Sequence, residues 1–166
     1  MAPGTRVQHA LDYVEIIQVI STYSLGQDGH QRGDNNVLEH WDRAFAPDAT
    51  TDYSAAGAPV CSYRELAAWM RGEDGKPARM GRYFGWQHML SIPVVTIDGD
   101  RAQARTDYSA VHKISTEGPA GARFDCQGAF HDTLARTDDG WRITHRRLEI
   151  YFGEEVATRN SMLPAR

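Results

Sequence analysis

Two residues in this chain have the types and settings needed for proton transfer: Asp28 and His88. His88 lies in a strand-like stretch, QHMLSIPVV, where period-2 alternation puts it on the same face as Leu90 and Ile92. An ionisable ring among apolar neighbours is a candidate base. Asp28 follows a long apolar helical pattern, where the helix dipole is negative and a carboxylate does nothing for the helix. A role outside the helix, such as pairing with a histidine, explains it better. In such a pair the carboxylate fixes the imidazole tautomer, and the other ring nitrogen faces the substrate as base and then acid. Free histidine titrates near pH ~6.5, which suits both roles. Removing a proton next to a carbonyl and returning it elsewhere is isomerisation; expelling a hydroxyl instead is dehydration.

The elements that must position this pair read as helices first and strands afterwards. Residues 1–9 read as a loose lead-in. Tyr13, Ile16, Ile17, Ile20 and Tyr23 mark an amphipathic helix over 10–26, with Gly26 as its stop. Residues 28–33 (DGHQRG) read as a turn. A second helix starts at Asp34 or Asn35, carries Val37, Leu38, Trp41 and Phe45, and ends at Pro47-Asp48. A short strand covers 49–54. Ser62 and Glu65 make a capping box for a third helix over 63–71, with Leu66, Trp69 and Met70 inward. Residues 72–85 form a long Gly-rich and charged loop beside a pocket mouth. Strands then cover 86–97, 101–115, 123–136 and 141–152, separated by Gly-containing breaks. Residues 154–166 read as a tail. This pattern predicts one α+β domain over 1–166, a curved sheet around the N-terminal helices with a pocket between them.

Strand parity narrows the pocket wall. On 101–115, Ala104, Thr106, Tyr108, Ala110, His112 and Ile114 share the inner face, while Arg101, Gln103, Arg105, Asp107 and Lys113 face solvent. On 123–136 the inward set is Phe124, Cys126, Gly128, Phe130 and Leu134. Taken singly, each candidate has a plainer explanation: core histidine, turn aspartate, core tyrosine. The Arg146-Arg147 pair reads as a solvated strand end, and His9, His30, His40, His131 and His145 as surface or edge residues.

Composition excludes several classes. Net charge is −4, with 18 basic and 22 acidic residues, so no basic face for nucleic acid is expected. Two cysteines, Cys61 and Cys126, are too few for a disulfide framework or a Cys-type zinc site and read as reduced thiols. The stretch Met1 to His9 is polar, with no secretory pattern, and no apolar run approaches membrane-spanning length. The expectation is a cytoplasmic protein with no membrane partner. HExxH, GxSxG and phosphate-loop motifs are missing, and three scattered histidines give no metal spacing.

From about residue 10 to 153 the chain resembles the SnoaL-like branch of the NTF2-like (cystatin-like cone) superfamily. The resemblance is carried by IIQVISTYSLGQD (16–28), FAPDATTDYS (45–54), HMLSIPVVTIDGDRAQARTDYSAVH (88–112) and GAFHDTLARTDDGWRITHRRLE (128–149). It is nearest to the scytalone dehydratase, bile-acid 7α-dehydratase and hexachlorocyclohexane dehydrochlorinase group. That resemblance implies a cone with a mixed, mostly antiparallel sheet and a pocket dyad falling on Asp28 and His88. It places further catalytic side chains on Tyr23, Tyr53 and His112. Tyr108, Gly128, Phe130, Trp69, Phe84 and Leu90 are the expected substrate-binding residues. The dehydratase's tyrosine before the Asp is Gln27 here, and its polar third-strand residues are Gly128 and Phe130, so Gly128 is expected to make room for a bulkier, more apolar ligand. The bile-acid enzyme's pocket arginine falls near Ile150. The implied activity is that of a cofactor-independent lyase or isomerase on a cyclic carbonyl-bearing or hydroxylated molecule. Polyketide cyclisation in the same pocket, or service as the small subunit of a ring-hydroxylating dioxygenase or a ligand-binding module, are the alternatives. A homo-oligomer is implied, a trimer rather than a dimer.

Overall fold

The computed structural model describes residues 3–29, 31, 37–72, 78–114 and 122–156. Helix α1 runs Pro3–Gly29, so it takes in residues expected as a loose lead-in. Its N-terminal half is held to the far end of the sheet. Asp12 accepts from Gln8 Nε2 (3.0 Å) and pairs with Arg136 (2.7 Å), and Glu15 accepts from the Trp141 backbone N–H (2.8 Å). Gly26 does not stop the helix. A Cβ there would lie 2.7 Å from the Trp41 ring, so this glycine lets a second helix pack close. Asp28 therefore sits in the last turn of α1 rather than beyond it.

Helix α2 spans Val37–Ala44. Its expected N-cap, Asp34 or Asn35, lies outside the described residues, as do His30, Arg32 and Gly33 of the expected turn. Strand β1, Phe45–Asp52, follows without a break. Phe45, Pro47 and Asp48, expected in or at the end of the second helix, are strand residues. Pro47 is tolerated because the register against β7 shifts between Phe45 and Thr50, and a residue without an N–H fits such an irregularity. Strand β2 (Val60–Ser62) leads into α3 (Tyr63–Arg71), where the Ser62–Glu65 capping box forms as expected.

The single strand expected over 86–97 is two: β3 (Gly85–Leu90) and β4 (Val94–Asp98). Both pair with β5 (Arg101–Lys113), β3 with its second half and β4 with its first. The break falls at Ser91–Pro93, where Pro93 offers no N–H to the ladder and its carbonyl accepts from Tyr13 Oη (3.1 Å). Strands β6 (Arg123–Thr137) and β7 (Gly140–Val156) complete the sheet, so residues 154–156, expected as tail, are strand. The order is β2-β1-β7-β6-β5-β3, with β4 beside β5. The β1–β7 pair is parallel and the others antiparallel. This is the expected α+β architecture with an unclosed mixed sheet.

The core lies between α1 and the inner sheet face. Ile16, Val19, Ile20 and Tyr23 of α1 are buried against Trp41, Phe45, Phe130, Leu134, Trp141 and Ile143. On β5 the expected alternation holds without exception from Ala102 to His112. No described helix is long and apolar enough to cross a membrane.

Candidate active site

The last turn of α1 and strand β3 bring Asp28 and His88 together. Asp28 Oδ1 lies 2.7 Å from His88 Nδ1, and its Oδ2 accepts from the His88 backbone N–H at 2.9 Å. One carboxylate thus holds both the ring and the backbone of the same residue, which fixes the imidazole orientation. The helix end is itself tied to β3. Trp86 Nε1 donates to the Gln27 carbonyl (2.8 Å), and Gln31 bridges the Asp28 and Trp86 backbones.

His88 lines a cavity of about 660 Å3 enclosed by α1, the inner sheet face and residues 79–83. Asp28 lies on the other side of the imidazole, in an outer cleft with Gln31 and Trp86. With Nδ1 bound to Asp28, Nε2 is the nitrogen left for the cavity. His112 stands beside it, ring centroids 5.4 Å apart and nearly perpendicular. Burial lowers the His112 pKa to about 4, and the neighbouring His88 adds to that. Near neutral pH, His112 is an uncharged ring. Its Nδ1 is buried without a hydrogen-bond partner.

The opposite wall is different. Tyr23 and Tyr53 make a short hydroxyl–hydroxyl hydrogen bond. Burial raises the pKa of both phenols, and the Arg146 charge pulls the other way. Arg146 is 0% exposed, which overturns its reading as a solvated strand end; Arg147 is the exposed member of the pair. The Arg146 guanidinium makes two bonds to Asp132 (2.6 and 2.7 Å) and lies 3.9 Å from the Tyr23 ring centroid and 4.6 Å from that of Phe130. Burial works against its charge, but the Asp132 carboxylate outweighs this and holds its pKa above the ordinary value. Such a pair, flanked by aromatic faces, is a fixed charge site.

Of the expected site residues, Tyr23, Tyr53, Trp69, His88, Tyr108, His112 and Phe130 line the one cavity. Tyr108 stacks on Phe130 at 4.7 Å, and its hydroxyl contacts Cys126 Sγ at 3.4 Å. Leu90 packs against the core behind the wall. Phe84 is 60% exposed and borders the outer cleft, with the Lys113 ammonium over its ring. Gly128 does not make room for a ligand: a Cβ there would lie 1.9 Å from the Glu149 carbonyl oxygen. The register of β6 against β7 shifts at this point, and the close backbone approach requires glycine. Sequence reasoning missed Tyr83, Met80 and Leu148 as cavity residues, and it missed Asp132 altogether; Gln27 and Ile150, compared there with site residues of relatives, do line the cavity. Asp132 carried a signal, since its parity matches Phe130 and Leu134. Among the described residues no group of three His, Cys, Asp or Glu side chains is placed to hold a metal ion.

A family model described as a SnoaL-like domain matches residues 8–147. The chain belongs to this SnoaL-like family. Solved structures of the same fold agree. An NTF2-like protein with a cystatin-like fold from Novosphingobium aromaticivorans is 21% identical with a TM-score of 0.62, covering 89% of this chain and 87% of its own. A protein from the same organism provisionally named a scytalone dehydratase is 17% identical, TM-score 0.65, covering 99% of each chain. A hexachlorocyclohexane dehydrochlorinase from Novosphingobium barchaimii is 13% identical, TM-score 0.69, covering 98% of this chain and 100% of its own. Comparison with curated proteins gives no match. SnoaL-like membership and these neighbours place the chain in a fold group that includes small-molecule dehydratase-type and dehydrochlorinase-type proteins.

Proposed function

We propose that this SnoaL-like protein is a cofactor-independent lyase or isomerase, of dehydratase type, acting on a cyclic carbonyl-bearing or hydroxylated small molecule. The observation that supports it best is the 2.7 Å Asp28–His88 contact at the wall of a 660 Å3 cavity. His88 Nε2 takes the proton next to the substrate carbonyl, leaving an enolate and an imidazolium. Asp28 holds the Nδ1–H and stabilises the imidazolium charge. The imidazolium then gives its proton to a β-hydroxyl, which leaves as water while the C=C bond forms. Return of the proton to another carbon gives isomerisation instead. Tyr23 and Tyr53 hold the carbonyl oxygen as charge develops there, and uncharged His112 assists at the leaving oxygen. The neighbouring dehydratase-type and dehydrochlorinase structures support an elimination over other proton transfers.

The test is turnover of a panel of cyclic β-hydroxy ketones, read by the ultraviolet absorbance of the conjugated product. His88→Ala and Asp28→Asn each lose roughly 10²–10⁴-fold in kcat/KM, with far-ultraviolet circular dichroism unchanged. Near-wild-type rates in both variants overturn the assignment.

A further inference from the structure

The cavity contains a polar atom that the proton-transfer reading leaves unexplained. Gln27 is 6% exposed, lines the cavity with His88, and its Oε1 is buried with no hydrogen-bond partner among the described residues. Buried side-chain oxygens almost always have a partner, and leaving one unpaired is unfavourable. Nothing about the local backbone forces this cost. The residue sits in the last helical turn, its carbonyl is held by Trp86 Nε1 at 2.8 Å, and the next residue is clamped to β3 through Asp28. The amide is thus presented on a rigid frame, next in sequence to the carboxylate of the dyad. Tyr83, Ala110, Phe124 and Ile150 share the cavity wall with it, alongside His88 and His112. A rigid unpaired acceptor in a cavity wall is a selector, because a ligand without a donor leaves it desolvated and unpaired.

We infer that Gln27 is a specificity-determining residue, and that the substrate carries a hydroxyl which donates to Gln27 Oε1 when its ring fills the cavity. This rests on the reading above that this cavity is the substrate site, and it narrows the substrate class to hydroxylated ring compounds over their deoxy or O-alkylated analogues. The discrimination comes from geometry and is independent of turnover.

The test is therefore a binding measurement. Titration calorimetry compares 2-naphthol with 2-methoxynaphthalene, two probes of one ring system that differ in the donor. The wild type prefers 2-naphthol by roughly tenfold or more, as an acceptor left unpaired by about 1.4 kcal/mol requires. In Gln27→Met, which keeps the length and removes the acceptor, the preference falls to within threefold, through weaker naphthol and tighter methoxynaphthalene binding. Gln27→Asn, which keeps the amide but withdraws it, gives the same collapse and guards against a folding defect in the first variant. An unchanged preference in both Gln27 variants overturns the inference while leaving the Asp28–His88 assignment standing. Failure of both probes to bind the wild type at millimolar concentration overturns the cavity assignment itself.

Discussion

Two walls of one cavity do opposite things with charge. On the β3–β5 side, Asp28, His88 and His112 are ionisable groups arranged around an imidazole whose second nitrogen stays free. On the β6–β7 side, Arg146 and Asp132 are fully buried behind the cavity wall, bonded to each other and covered by Tyr23 and Phe130. The first wall holds a histidine, His112, whose pKa burial lowers to about 4. On the second side, the Asp132 carboxylate holds the Arg146 guanidinium charged. A working acid–base site needs both, a group that titrates and a field that stays fixed while it does. The contrast also separates the consequences of substitution. Damage to the fixed wall is read in stability, and damage to the titrating wall is read in pH dependence and turnover.

The largest effect expected from that contrast is at Asp132. Asp132→Ala leaves the Arg146 guanidinium buried without its carboxylate, which destabilises by about 3–5 kcal/mol. Replacing both partners, as in Asp132→Leu with Arg146→Met, restores much of that loss, because a buried pair is weak evidence for net stability. Urea denaturation of the single and double variants measures both numbers. A single variant within 1 kcal/mol of wild type would show the guanidinium reaching water and would remove the distinction between the walls.

How far this contrast could be seen in the sequence depends on strand regularity. The β5 wall was legible because thirteen residues alternate without interruption, so His112 and Tyr108 were placed correctly. His88 was placed inward by the alternation within β3, but Ile92, expected on the same face, lies in the break before Pro93 and is exposed. Arg146 was hidden by a bulge. Thr133 pairs with His145 but Leu134 pairs with Ile143, so Thr144 is an extra residue and the inward parity changes from Ile143 to Arg146. A second shift at Gln127/Gly128 leaves Tyr151 extra and makes Gly128 a backbone necessity rather than a ligand-shaped gap. Phe84 lies outside the regular part of β3, where its ring turns to Lys113. Parity arguments hold inside a regular ladder and fail at its bulges and ends.

The next effect is on the titrating wall. His112 has a folded pKa of about 4 against an ordinary 6.5, set first by burial and then by His88, with Asp28 and Asp125 opposing. The folded state therefore favours the neutral ring. Its contribution is full above pH ~6.5 and is lost as pH falls through about 4, because the unfolded chain takes up the proton first. At ~1.4 kcal/mol per pKa unit this is about 3 kcal/mol. Stability measured from pH 7 to 4 falls more steeply in the wild type than in His112→Asn. Parallel curves would mean that His112 is solvated or already paired, and the contrast with the Arg146 side would weaken.

The smallest effect is at the seam between the walls, the Tyr23–Tyr53 hydroxyl pair. Tyr23→Phe removes one hydroxyl and leaves the Tyr53 hydroxyl facing a methine, at about 1 kcal/mol. The ring remains over Arg146 and against Trp41 and Phe130, so packing is kept. If the pair belongs only to the fixed wall, kcat follows stability and changes little. If it polarises the substrate carbonyl, kcat falls by roughly 10²-fold or more, the range seen when one oxyanion donor is removed, while the stability change stays near 1 kcal/mol. The expected result is the second, with KM nearly unchanged, because a bond that strengthens only as the oxyanion forms acts on the transition state and not on ground-state binding.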